Sequence, residues 1–156
     1  MATAPVTPEF QEYRKGEYVI STDPGRLDVD AVHKFLSQWT GWETDGIPRP
    51  TLERALDNSL CFGVYEGERQ IGFARVVTDR ATFAFILDDY IEESHRGRGL
   101  GKWLMQTIQQ HRELQRLRRW MLYTHDQRIY AKVGFKALAD PETYMEIFDP
   151  GMYRRG

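Results

Sequence analysis

Apolar positions along the chain alternate between two periods, one near two residues and one near three and a half. "EYVISTD" (17–23) alternates and predicts a first strand. Val29, Val32, Phe35, Leu36 and Trp39 then recur at helical spacing, with Asp28 placed to cap their helix. After the Gly/Pro-rich loop "TGWETDGIPRP", the run "TLERALDN" predicts a short second helix capped by Thr51. "SLCFGVYE" and "RQIGFARVVT" form a hairpin around Glu66-Gly67-Glu68, and "TFAFILDDYIEE" is a further strand with an acidic end. A glycine loop leads into "GKWLMQTIQQHREL", where Leu100, Leu104, Ile108 and His111 or Leu114 trace one helical stripe. The strand "RWMLYT", a short helix "DQRIYAKVGF" stopped by Gly134, and a last strand "TYMEIFD" complete the pattern. The order β-α-α-β-β-β-α-β-α-β predicts an α+β fold, with a mixed, twisted and mostly antiparallel sheet flanked by helices.

Composition narrows the function classes. A chain of 156 residues with a formal net charge of −2 suits one domain, expected over 11–156, behind a disordered leader at 1–10. No apolar run reaches the roughly 18 residues that a membrane helix needs, and "MATAPVTPEF" lacks the regions of a signal peptide. Cys61 is the only cysteine, so no disulfide forms within the chain, no Cys-based metal site is expected, and a cytoplasmic protein is the default. The balanced charge argues against an obligate nucleic-acid binder, and the basic stretch "HRELQRLRRW" is read as a solvated helix face.

The informative stretch is "SHRGRGLGKW", residues 94–103. Glycine inside a helix costs about 1 kcal/mol relative to alanine, yet Gly97, Gly99 and Gly101 crowd the start of one. A nucleotide P-loop fails, because Gly97 and Gly101 are one residue too close and Trp103 stands where a hydroxyl belongs. A dinucleotide fingerprint fails at Lys102, which occupies the third glycine position. A plain strand-to-helix turn remains open. So does an anion nest, in which bare backbone N–H groups at a helix N-terminus face phosphate oxygens.

Arg96-x-x-Gly99-x-Gly101 resembles the R/Q-x-x-G-x-G/A pyrophosphate loop of the GNAT superfamily of acyl-CoA-dependent N-acetyltransferases, and "YAKVGF" is similar to that family's Y-x-x-x-G-F segment. The resemblance runs from about Ser59 to Phe135. It implies a V-shaped opening between central strands, acetyl-CoA as co-substrate and no metal. It further implies a cofactor site in which the strand before the loop, at Asp89, Tyr90, Ile91 and Glu92, pairs with the pantetheine arm, and Arg96, Gly97, Arg98, Gly99, Leu100, Gly101 and Lys102 hold the pyrophosphate. Tyr130 takes the place of the tyrosine beside the CoA sulfur, although the loop before it, "HDQRI", is shorter than in many members.

The acceptor implied is a small-molecule or peptide amine. Such an amine, with a reference pKa near 10.4, must lose a proton before it attacks, and the departing thiolate gains from a proton donor. Tyr130 is the expected donor. For the base the strand end offers Asp88, Asp89, Glu92 and Glu93, of which Asp88 ranks first, with His125 or a water as alternatives. Asp88 and Asp89 should face opposite ways unless a bulge intervenes. His33 and His111 read as structural residues, His95 as a phosphate neighbour or a solvent-facing ring, and Trp39 and Trp42 as core and cleft wall respectively. A non-catalytic CoA-binding sensor is the rival reading, and a homodimer is the oligomer that symmetry most often yields.

Overall fold

The computed structural model describes residues 10–38 and 46–155. Six strands form one sheet in the order of the sequence: β1 (Glu12–Lys15), β2 (Tyr18–Ser21), β3 (Leu60–Glu66), β4 (Arg69–Thr78), β5 (Phe83–Ile91) and β6 (Arg119–Leu122). Neighbours from β1 to β5 are antiparallel, and β5 with β6 is parallel. Four helices accompany them: α1 (Val29–Ser37), α2 (Arg49–Asp57), α3 (Leu100–Gln110) and α4 (Gln127–Ala131). The expected mixed, mostly antiparallel sheet flanked by helices is what forms.

Local chemistry accounts for most boundaries. Asp28 caps α1 as expected, its carboxylate accepting from the Ala31 N–H at 3.0 Å. Helix α2 begins at Arg49 with Pro48 instead of Thr51 as its N-cap and no side-chain cap, and Pro50 in its first turn has no N–H that would need a partner. The predicted first strand shortens to β2. An unpredicted β1 turns back onto it through Gly16, at φ +59°. The short exposed run "EYRK" has too little apolar alternation to announce itself as an edge strand. Helix α4 stops at Ala131 rather than running on to Gly134. The expected last strand, "TYMEIFD", does not form.

Two apolar layers hold the sheet. On one face Ile20, Leu60, Phe62, Val64, Val76 and Ile86 pack against Leu100, Leu104, Met105 and Ile108 of α3. On the other, Cys61, Phe73 and Tyr90 pack against Val32 and Leu36 of α1 and Leu52 and Leu56 of α2. Burial pushes the Cys61 thiol up to about 12, which leaves it an inert core group.

Strand β5 crosses between these layers. Ala84 and Ile86, at even positions, face α3, whereas Tyr90, also even, faces α1 and Ile91 faces α3. The exchange follows from a bulge: Phe73 pairs with Tyr90 but Arg75 pairs with Leu87, so Asp88 and Asp89 share one place opposite Ala74. Asp88 takes the left-handed conformation, φ +59°, which aspartate tolerates better than most residues. Beyond Ile86 and Leu122 the pairing of β5 with β6 ends, while β5 runs on to Ile91. The sheet therefore opens beside the second half of β5.

Gly72 lets that half of β5 approach β4. A Cβ there would lie 2.7 Å from Ile91 Cδ1 and 2.9 Å from the Tyr90 carbonyl oxygen, and the latter belongs to the backbone. Gly72→Ala should therefore destabilise the protein by about 1–3 kcal/mol, the usual cost of forcing a methyl into a packed core. A thermal melt lowered by several degrees checks this, and an unchanged melting temperature would show that β5 can shift freely.

Candidate functional site

The opening beside β5 contains two cavities with a common wall. The larger, about 510 Å³, is lined by Ile91, by every residue of the loop and first turn of α3 from His95 to Lys102 except Arg98, and by Met105, Lys132 and Val133. The smaller, about 230 Å³, lies between α1 (Phe35, Leu36), the bulge of β5, and the loop Tyr123–Asp126. Asp89, Ile129 and Tyr130 line both.

At the larger cavity the glycines divide by role. Gly97 and Gly99 adopt φ of +80° and +78°, and an added Cβ at either would meet nothing within 4 Å. They are needed for backbone conformation, not for space. Gly101 is ordinary helix, where a Cβ would only touch Ile91 Cγ1 at 3.9 Å, so no protein neighbour requires a glycine there. Gly99 caps α3 without a side chain, and the first helical bond runs from the Trp103 N–H to the Gly99 carbonyl. The N–H groups of Leu100, Gly101 and Lys102 thus have no intrahelical acceptor. Among the described residues no hydrogen bond ties the N–H of any residue from Gly97 to Lys102 to a protein acceptor. Unpaired amides at the positive end of a helix, beside a cavity and next to Lys102, make a site for an anion. The residues present fit the pyrophosphate of a coenzyme A.

The flanking residues expected at this site part ways. The Glu92 N–H donates to the Ile71 carbonyl at 2.8 Å, and its carboxylate pairs with Arg69 at 2.7 Å. In an antiparallel ladder alternate residues turn to the same neighbour, so Tyr90 also turns its backbone groups to β4, and only Ile91 turns toward the opening. The Tyr90 side chain stacks on Phe35, ring centroids 3.7 Å apart, in the α1 layer. Arg96 lines the cavity, but its Nε donates to the Ile91 carbonyl at 3.0 Å and binds loop to strand. Arg98 instead donates to the Tyr18 hydroxyl at 2.6 Å and is absent from the cavity wall. His95, expected at phosphate or in solvent, is 6% exposed. Its ring lies between the Ser94 hydroxyl at 2.8 Å and the Glu66 carboxylate at 3.3 Å.

At the common wall the Tyr130 hydroxyl donates to Asp89 Oδ2 at 2.7 Å. Burial raises the Asp89 pKa above the ordinary carboxylate value, although the tyrosine bond partly opposes it. The Tyr130 phenol is raised as well, by burial and by the neighbouring Asp89 charge. Asp88, the first-ranked base, is held by Arg75, Nε to Oδ2 2.8 Å, with the carboxylate side chain 7% exposed. The bulge turns Asp88 and Asp89 to the same cavity instead of opposite faces. Sequence reasoning placed Asp89 on the pantetheine strand and among the candidate bases behind Asp88, and gave Arg75 no role; the signal for Arg75 lay in the hairpin register, which sets it across from the acidic end of β5.

His125 lines the smaller cavity and packs edge-on against Tyr123 at 5.3 Å. His33 and His111 are structural as expected. The first bonds the Ile47 carbonyl at 2.9 Å, and the second lies 2.6 Å from the Tyr13 hydroxyl. Trp39 and Trp42 lie outside the described residues. Among the described residues no group of His, Cys, Asp or Glu gathers with metal-binding geometry.

Residues 57–137 match the family model for the acetyltransferase (GNAT) domain. The chain belongs to the GNAT acetyltransferases. A presumed GNAT-family acetyltransferase from Xanthomonas campestris pv. campestris has a solved structure that is 41% identical, with a TM-score of 0.82, covering 95% of this chain and 99% of that one. A presumed acetyltransferase of Gibberella zeae is 36% identical over 137 residues, 74% of this chain and 76% of its own. A Clostridium acetobutylicum protein, solved with acetyl-CoA, shares the GNAT fold at 13% identity and a TM-score of 0.59, covering 90% of this chain and 95% of its own.

The bulge of this GNAT domain depends on a buried charge pair, which predicts an asymmetry. Arg75→Met leaves the Asp88 carboxylate buried without its partner and should cost about 3 kcal/mol at neutral pH. The double change Arg75→Met with Asp88→Asn should recover most of that loss. Urea unfolding of the three proteins checks it; equal stability of both variants would mean that the pair does not hold the bulge.

Proposed function

We propose that the protein is an N-acetyltransferase that moves the acetyl group of acetyl-CoA directly onto a primary amine. The observation that carries the reading is the Asp89–Tyr130 hydrogen bond, 2.7 Å, on the wall common to both cavities. The larger cavity suits the coenzyme: free amides from Gly97 to Lys102 meet the pyrophosphate, and the Ile91 N–H beyond the end of β6 is free to pair with an extended pantetheine arm. The smaller cavity suits a compact amine, with aromatic and aliphatic walls from Phe35 and Leu36 and a carboxylate at its inner end. Bound acetyl-CoA would supply an activated thioester.

Asp89 attracts the ammonium form of the amine and takes a proton from it. Its raised pKa makes it a better base than an exposed aspartate, provided that it is ionised at working pH. Tyr130 lines both cavities; once Asp89 has taken a proton, the hydrogen bond between them reverses and the phenol O–H is free to turn to the leaving sulfur. The phenol is too weak an acid to release its proton unaided. It works as a relay, giving its own proton to the sulfur as it accepts one from Asp89. The ammonium loses two protons in all; one reaches the sulfur and one leaves to solvent. Among the described residues no hydroxyl or thiol side chain other than Tyr130 lines both cavities, in keeping with direct transfer.

Thiol release from acetyl-CoA over a panel of primary amines tests the activity. Tyr130→Phe should lower kcat about 100-fold while leaving CoA affinity, by calorimetry, within twofold. Silence over the whole panel together with tight CoA binding would instead identify a sensor module.

The pH dependence follows from the same pair. Asp89 acts only when ionised, so activity is lost as pH falls through its pKa, and burial lifts that pKa. The acidic limb of kcat/KM should lie above the ordinary aspartate range, and Asp89→Asn should remove most of the turnover. A limb at the value of an exposed carboxylate would assign the base elsewhere.

A further inference from the structure

The smaller cavity carries charge of one sign. Asp88, Asp89 and Asp126 line it, and no lysine or arginine does. Two of these carboxylates are already matched. Arg75 holds Asp88 at 2.8 Å, and Arg128 meets Asp126 through Nε and Nη2, each at 3.0 Å. Asp89 joins no ion pair among the described residues, and its side-chain partner is the neutral Tyr130 hydroxyl at 2.7 Å. The rest of the chain brings no cation to change this balance. Residues 1–9 and 39–45 contain no lysine, arginine or histidine, and the second stretch adds Glu43 and Asp45. Much of the remaining wall is apolar, from Phe35, Leu36, Ile86 and Ile129.

We infer that the acceptor is an amine with no carboxylate on the carbon that bears the nitrogen, so that the cavity rejects α-amino acids. The inference rests on reading the smaller cavity as the acceptor compartment. In an α-amino acid the N–Cα and Cα–C bonds leave the carboxylate carbon about 2.5 Å from the nitrogen. A nitrogen drawn to Asp89 therefore brings a second carboxylate to the same end of the cavity. There the two meet as like charges in a half-buried place, where water screens them poorly. No cation in the wall receives the newcomer, and an anion stripped of water without a partner is costly. A hydrogen or an apolar group on the same carbon carries no such penalty. Selection then works by repelling the wrong acceptor as much as by holding the right one.

Three probes share one apolar body and differ only beside the nitrogen. In 2-phenylethylamine that carbon bears hydrogen, in phenylalaninamide a neutral amide, and in phenylalanine a carboxylate. His125 is the one side chain of the lining able to gain positive charge, so the assay is run at about pH 8.5, where imidazole is uncharged. With acetyl-CoA as donor, kcat/KM for the amide should stay within about tenfold of the amine, and that for the acid should fall about 100-fold or more below both. Calorimetric titration into the CoA-bound protein should give the same order without turnover. Ile129→Arg places a cation in the wall at a side chain 59% exposed, on which folding does not depend. It should narrow the gap between amine and acid about tenfold or more.

Phenylalanine acetylated as well as 2-phenylethylamine overturns the inference and leaves the transferase reading standing. Binding in the stated order without any thiol release overturns the transferase reading alone. An amide rejected as strongly as the acid, or a gap that Ile129→Arg leaves unchanged, also overturns the inference, because charge would not then decide. Probes neither bound nor acetylated overturn both.

Discussion

The Arg75–Asp88 ion pair holds β5 in a bulge, and the bulge exchanges the two faces of the strand. A strand alternates with period two, so one extra residue sends every later side chain to the opposite side. Upstream, Ala84 and Ile86 brace α3; downstream, Tyr90 turns to α1 and Ile91 takes over against α3. The left-handed aspartate costs about 1–2 kcal/mol, and a buried ion pair on balance adds little stability against an apolar alternative. Strain of this kind persists where the surroundings impose it, and it gathers at functional sites. Here it turns two carboxylates to one cavity and carries β5 past the end of β6.

The glycine loop depends on that geometry. Arg96 reaches back to the Ile91 carbonyl, which faces the opening because of its place in the ladder after the bulge. Arg98 is tied to Tyr18 on β2. Two of the three cations that mark the loop in the sequence therefore serve the fold, so anion attraction at the cavity falls to the backbone amides, Lys102 and Lys132. Backbone amides are rigidly placed and need no side-chain ordering when a ligand arrives, which suits a recurrent diphosphate better than mobile guanidinium groups.

Features set by neighbouring residues were legible from sequence. The Asp28 cap, the hairpin around Gly67, the apolar stripe of α3 and the glycine loop each follow from chemistry within a few positions. Features set by distant pairing were not. The bulge needs the register between Arg75 and Leu87, and the burial of His95 needs Glu66 and Tyr18 to come beside it. Strand β1 carries charge on three of its four residues, so alternation could not reveal it. "TYMEIFD" failed in the opposite sense: its pattern is that of a strand, but a strand exists only where an edge accepts it.

The junction between the two cavities poses a problem of proton transport as much as of binding. In the proposed reaction a proton leaves nitrogen in one compartment while sulfur gains one in the other. A relay must therefore have a member at each compartment and a hydrogen bond between them. Asp89 and Tyr130 meet that requirement, since both line each cavity and share a hydrogen bond. The raised pKa of each partner has a common origin in burial, and the rise at Asp89 brings it nearer to the amine it would deprotonate. Asp88 is engaged elsewhere, its Oδ2 held by Arg75 Nε at 2.8 Å. One aspartate is thus committed to shape and the next to chemistry, and the bulge between them is what allows neighbours in sequence to divide the work.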